Sequence, residues 1–345
     1  MSAPVLPFRI VAPSLAFVFP GQGSQAVGMG RAVSEAFQNA RRTYEEADSL
    51  LGYALSRICF DGPGERLDDT AVAQPAIFTT SVALLEALAE AVNGLGRRIC
   101  DGAEPRGVAA LPRELRPAFV AGHSLGEFTA LAAAGALSFR DGLRLVAERG
   151  RLAATKGARG AMAAIVGLSA AEVDRIIGDT VPAGAAVVAN DNGPQQVTIA
   201  GDIDSVGRVS EALARFGARK VVPLRISGPF HFPPMGRIGD DLAATMRSLT
   251  FREPVVPVVA NTTAEPHGSG TAIPEALVRH LSNRVEWLRS VRYMVDRGVS
   301  TFVEVGAGHV VTGLIRRIAD VEILNVSDPG SLSGALRSLR GKVTA

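Results

Sequence analysis

Gly122-His123-Ser124-Leu125-Gly126 reads G-x-S-x-G, and it falls between an apolar run at 118–121 and an alanine-rich stretch at 125–134. A strand that must turn into a helix within so few residues leaves the central side chain at the apex, and the flanking glycines permit the turn. Ser124 then projects its hydroxyl outward, and the free N–H groups of the following helix face whatever it attacks. A Gly-rich turn with a capping serine would carry the same five residues. The strand before and the helix after are what the nucleophile-elbow reading requires. The motif therefore predicts an α/β protein with Ser124 as its nucleophile.

The flanking sequence fits that frame. Residues 15–19 form a short apolar run that stops at Pro20-Gly21 and reads as a buried strand entering a loop. Residues 74–92 read as a buried helix, 93–117 as a surface loop or insertion, and Ser138 as the cap of a helix running to about residue 154. The character changes after Lys156-Gly157. Strands at 161–166, 185–188, 196–200 and 220–224, with helices at 169–177 and 205–216, follow the βαββαβ order of a ferredoxin-like lobe. The main pattern resumes with a strand at 255–260, a helix near 275–281, a strand at 301–305 and a last well-marked helix after Gly306-Ala307-Gly308.

Composition excludes several classes. Lys and Arg number 36 against 34 Asp and Glu, a net charge of +2, whereas a nucleic-acid binder needs a phosphate-neutralising excess. Only Lys156, Lys220 and Lys342 are lysines, so almost all of the positive charge is arginine. Cys59 and Cys100 lack C-x-x-C spacing, so neither a zinc cluster nor a redox pair is expected, and two lone thiols suit a reducing compartment. No signal-peptide pattern and no run of about 18 apolar residues is visible. The expectation is a soluble, cytoplasmic protein without metal.

A serine nucleophile needs a base, and five histidines compete. His123 adjoins the serine and reads as a structural or accessory contact; His267 lies in a Gly/Ser loop and reads as solvent-exposed. His309 starts a helix and His280 ends one. His231 stands in Gly228-Pro229-Phe230-His231-Phe232-Pro233-Pro234, a loop that three prolines stiffen, which favours it as the base. Phe19-Pro20-Gly21-Gln22-Gly23-Ser24-Gln25 fails as a dinucleotide fingerprint, because Ala26 occupies the third glycine position, and as a P-loop. It leaves Gln22 as a donor for an oxyanion. Arg149 lies on the helix after the elbow helix; if buried, it could hold a carboxylate through paired hydrogen bonds.

Taken together, residues 19–25, Gly-His-Ser-Leu-Gly-Glu at 122–127, Asn-Gly-Pro-Gln-Gln-Val-Thr-Ile-Ala-Gly at 192–201, Arg-Gly-Arg-Leu at 149–152, Gly-Pro-Phe-His at 228–231 and Glu-Val-Gly-Ala-Gly at 304–308 resemble the malonyl-CoA:acyl-carrier-protein transacylases. The likeness covers nearly the whole chain in the family's order. It implies Ser124 as acylated nucleophile and His231 as base, with backbone N–H groups of Gln22 and Leu125 as the oxyanion hole and Arg149 on the substrate carboxylate. The family orients its histidine with a backbone carbonyl, here that of His280, so the changed side chain there need not matter. Phe230 resembles the malonyl-selecting form of its motif and, with His123, lines the acyl pocket. Phe232-Pro233-Pro234 replaces the commoner Ser-Pro-Leu. The resemblance also implies malonyl-CoA as substrate, no permanently bound cofactor, and an acyl carrier protein whose phosphopantetheine receives the acyl group. An acyl hydrolase, or a transferase between carrier proteins, is the alternative on the same scaffold. The expected architecture is a large α/β-hydrolase-like subdomain at 14–156 and 225–328, with a small ferredoxin-like α+β subdomain inserted at 157–224 and the active site between them.

Overall fold

The computed structural model describes residues 15–93, 106–224, 226 and 228–343. In chain order its strands are β1 Leu15–Phe19, β2 Phe119–Gly122, β3 Ala161–Val166, β4 Ala186–Gly193, β5 Gln196–Gly201, β6 Lys220–Pro223, β7 Val258–Val259, β8 Thr301–Val305 and β9 Glu322–Val326. The first sheet has the order β7-β2-β1-β8-β9 and is parallel throughout. Helices cover both of its faces, which is why β1 and β8 are buried at every position and β1 reads as an apolar run rather than an alternation. The chain steps from β1 to β2 on one side and later returns to β8 on the other. That reversal opens a crevice beyond the carboxyl ends of the strands, where α/β sheets bind ligands.

The second sheet is antiparallel, in the order β4-β5-β3-β6, with helices Ala170–Thr180 and Ile203–Arg215 supporting it. This is the βαββαβ pattern expected from the sequence. Ser169 accepts from the Glu172 N–H while Glu172 bonds back to the Ser169 N–H, a complete capping box, and Ser138 caps helix Phe139–Lys156 as read.

Four expectations need correction. The helix near 74–92 begins at Thr70 and ends at Asn93, and by length and composition it could cross a membrane. Its most apolar window is 89% buried inside the protein, where it serves as the central core helix. The strand at 255–260 shrinks to Val258–Val259, with Val255 exposed. After the short helix Val310–Ile315 the fold continues into β9 and helix Pro329–Val343, neither of which was expected. Of the 93–117 loop, residues 94–105 lie outside the described residues. The remainder makes two 3₁₀ turns that bury Val108, Leu111 and Leu115 against the core.

The elbow depends on backbone approach. A methyl group on Gly122 would overlap the backbone of Gly126, and one on Gly126 would overlap the Phe19 carbonyl. Neither obstacle is a flexible side chain, so Gly122→Ala should lower stability by about 3 kcal/mol or more. A denaturation midpoint close to that of the parent would contradict this packing.

Candidate active site

Ser124 sits just beyond β2 with φ 53°, a left-handed conformation that a non-glycine residue rarely adopts. Asn261 holds it there. The Asn261 Oδ1 accepts from the Ser124 N–H at 2.7 Å, and its Nδ2 donates to the Gly122 carbonyl at 2.7 Å. Glu127, on the elbow helix, accepts in turn from the Asn261 N–H at 2.9 Å. Sequence reasoning missed both residues. An asparagine just after a short strand looks like an ordinary turn residue, and the only available signal for Glu127 was its place at the end of Gly-His-Ser-Leu-Gly-Glu.

The Ser124 Oγ–H donates to His231 Nε2 at 2.7 Å, across 107 residues of sequence. The opposite nitrogen, Nδ1–H, donates to the His280 carbonyl at 3.0 Å and the Asn283 carbonyl at 3.1 Å. Two main-chain oxygens thus fix the tautomer that leaves Nε2 free to accept a proton. His231 is buried, also at positive φ (59°), and its pKa is pulled down to about 3 by desolvation, then by the positive charge of Arg149 and by His123. It stands as a neutral base.

The loop after β1 abuts the elbow so tightly that a methyl on Gly21 would overlap the His123 carbonyl. Among the described residues, neither the Gln22 N–H nor the Leu125 N–H has a hydrogen-bond partner, and both residues line the Ser124 cavity. The Gln22 side chain is committed elsewhere, donating to Thr70 Oγ1 at 2.8 Å.

That cavity holds about 450 Å³ and runs between the two sheets, with Asn190, Asn192, Gln196 and Thr198 on its small-lobe wall. Register shifts in β4 flank Asn190 and Asn192, the kind of bulge that re-aims side chains beside a site. His123 Nε2–H donates to Asn192 Oδ1 at 2.6 Å, and its ring packs edge-on against Trp287. Burial lowers its pKa, so it too is neutral.

Arg149 is 1% exposed and lines the same cavity. Its guanidinium lies between two rings, 5.3 Å from the centre of Phe128 and 5.0 Å from that of Phe230. Among the described residues its one hydrogen bond runs from Nη1 to Gln74 Oε1 at 2.7 Å, and Nε and Nη2 have no partner. Desolvation lowers its pKa to about 10, against the opposing pull of Glu127, so it keeps its charge at neutral pH. A buried cation with two unused donors is costly unless an anion completes it.

The other histidines divide. His280 contributes its carbonyl, while its buried ring lies 3.4 Å from Asn261 Oδ1, and desolvation holds its pKa well below the usual value. His267 is not exposed as expected: its side chain is 2% exposed and its Nε2 bonds Glu127 at 2.9 Å. The Gly/Ser context hid a carboxylate 140 residues away. His309 is exposed at the start of helix Val310–Ile315. No group of three or more His, Cys, Asp or Glu side chains able to hold a metal occurs among the described residues.

A serine hydroxyl bonded to a neutral imidazole, facing two unpaired N–H groups at the ends of parallel strands, is the equipment of serine acyl transfer. The chain matches the acyl transferase domain family over residues 16–102 and 105–325. It is 39% identical over 324 residues to the malonyl CoA-acyl carrier protein transacylase of Escherichia coli K12, covering 93% of this chain and 98% of that protein. Its fold resembles the acyl-carrier-protein-S-malonyltransferase of Bartonella henselae (TM-score 0.85, 37% identity, 95% and 99% of the two chains covered). It is equally similar to a malonyl-transacylase solved with its type II PKS acyl-carrier protein (TM-score 0.84, 36% identity, 94% and 99% covered). The chain belongs to the acyl transferase domain family and, within it, to the malonyl CoA-acyl carrier protein transacylases.

Proposed function

We propose that the protein moves a malonyl group from malonyl-CoA, through an ester on Ser124, to the phosphopantetheine thiol of an acyl carrier protein in fatty-acid or polyketide synthesis. The observation that carries this reading is Arg149. A buried guanidinium with two unpartnered nitrogens, in the same cavity as the dyad, suits a substrate that brings its own carboxylate.

Ser124 Oγ attacks the thioester carbonyl as its proton passes to His231 Nε2. The oxyanion rests on the N–H groups of Gln22 and Leu125, each such donor being worth about 10²–10³ in rate. Collapse breaks the C–S bond, and His231 returns the proton to the departing CoA sulfur. In the second half the carrier thiol gives its proton to His231, its sulfur attacks the malonyl ester, and Ser124 leaves with that proton. The His280 and Asn283 carbonyls keep the ring aligned and stabilise the imidazolium that forms. The ring of Phe230 over Arg149 and the ring of His123 line the acyl pocket. Discrimination against an α-methyl branch by a contact such as Phe230 is limited to about 1–3 kcal/mol. No permanently bound cofactor or metal is needed, the compartment is cytoplasmic, and 14–156 with 225–328 form one lobe around the 157–224 insertion.

Intact-protein mass spectrometry after separate mixing with malonyl-, methylmalonyl- and acetyl-CoA tests this reading. A malonyl adduct that Ser124→Ala abolishes, and that an added carrier protein removes, is expected. Labelling by acetyl-CoA alone would sink it, and rapid loss of the adduct to water without the carrier would point to the hydrolase instead.

A further inference from the structure

Strand β4 of the small lobe touches the supports of both catalytic side chains. At one end Asn192 accepts from His123, the neighbour of Ser124. Further back, the Asp191 N–H donates to the Val285 carbonyl at 2.8 Å, and the Val285 N–H donates to the Ala189 carbonyl at 2.9 Å. Val285 ends the segment 280–285, whose His280 and Asn283 carbonyls receive the His231 Nδ1–H. The backbone that orients the base is thus paired directly with a strand of the other lobe.

Arg284 fastens that pairing. It belongs to the segment supporting His231, yet its Nε donates to the Val188 carbonyl at 3.1 Å, and its Nη2 reaches both carboxylate oxygens of Asp174, at 2.8 and 2.7 Å. Asp174 lies on helix Ala170–Thr180, which packs on β4. One side chain therefore spans the segment, β4 and the helix behind it. The pair is partly exposed, with side-chain accessibilities of 29% and 44%. Pairs of this kind add little to global stability, so the distinctive consequence of this one is where it holds the backbone.

We propose that Arg284 is a positioning residue: by clasping Asp174 and Val188 it seats β4 against residues 280–285 and so keeps the His280 and Asn283 carbonyls aligned on His231. The proposal rests on the Ser124–His231 reading above. A displacement of about 1 Å at a reacting group can cost about 10²-fold in rate, so partial loosening should cost roughly tenfold.

The test compares Arg284→Ala, Asp174→Asn, the double variant and Arg284→Lys. At saturating malonyl-CoA, the first two should each acylate Ser124 about tenfold more slowly with little change in half-saturation concentration. The double variant should be no slower than Arg284→Ala, because the two residues act as one unit. Arg284→Lys, whose single ammonium can meet the Asp174 carboxylate but not the Val188 carbonyl as well, should recover only part of the rate. Sulfonylation of Ser124 by phenylmethylsulfonyl fluoride, which requires the dyad but no thioester, should slow in parallel. Unchanged sulfonylation in Arg284→Ala, an effect confined to half-saturation, or fully additive losses would overturn the clasp. Failure of the parent to take malonyl while the clasp still governs sulfonylation would overturn only the substrate assignment.

Discussion

His231→Ala is expected to slow acylation of Ser124 by about 10²–10⁴-fold, the range for losing a positioned general base, while the fold and thioester binding persist. The sharper expectation concerns pH. In the free protein the His231 pKa is depressed to about 3, with burial the largest cause and the charge of Arg149 the next. A lowered imidazole pKa means that the neutral, competent base survives well into acid, so kcat/KM should show no acid limb from His231 near its ordinary value. Once a malonyl carboxylate pairs with Arg149, one of the depressing charges is cancelled and the imidazolium becomes easier to form. The acid limb of kcat, which reports the substrate complex, should therefore lie at higher pH than that of kcat/KM. Stopped-flow acylation from pH 4 upward should therefore show kcat falling toward the acid end while kcat/KM stays flat, and profiles that stay flat or fall together would show that Arg149 and the substrate carboxylate do not meet beside His231.

The parts of this site that were legible in the sequence are those whose requirement is local. The elbow needs glycines at 122 and 126 because the backbones of Gly126 and Phe19 come too close for a side chain, and that demand is written as a spacing. His231 could be chosen from five because prolines stiffen its loop. Even then the reading anticipated one backbone acceptor and the structure supplies two. What stayed hidden are contacts between residues remote in sequence. Asn261 reaches Ser124 across 137 positions, and His267 reaches Glu127 across 140, so their neighbours in sequence carry no trace of the pairing. The final strand and helix were missed for a different reason. Ser-Asp-Pro-Gly-Ser at 327–331 reads as a loop, yet Asp328 accepts from the N–H groups of Gly330 and Ser331 and starts a helix there. The small sheet and the central strands of the large one needed only strand order and apolar runs, and those were recoverable.

Arg149→Met should separate activity from stability. A charged pair that is truncated on one side after desolvation typically loses 2–5 kcal/mol, so acylation by malonyl-CoA should fall by about 10²-fold or more. Acetyl-CoA brings no carboxylate to satisfy Nε and Nη2. Its acylation should hold or rise once the cavity no longer contains an uncompensated cation, and the preference should move from malonyl toward acetyl. Stability should barely follow. The guanidinium is desolvated, holds one hydrogen bond, and lies between Phe128 and Phe230, surroundings that an unbranched thioether also fills. Orphaning the Gln74 amide costs about 1 kcal/mol or somewhat more, but removing a buried cation with two unpartnered donors returns a comparable amount. The unfolding midpoint should therefore stay near that of the parent while malonyl transfer collapses. A variant that unfolded easily yet kept its malonyl preference would make Arg149 a structural cation. The opposite result would mean that the protein tolerates an unsatisfied charge in its core because the substrate supplies the counter-ion.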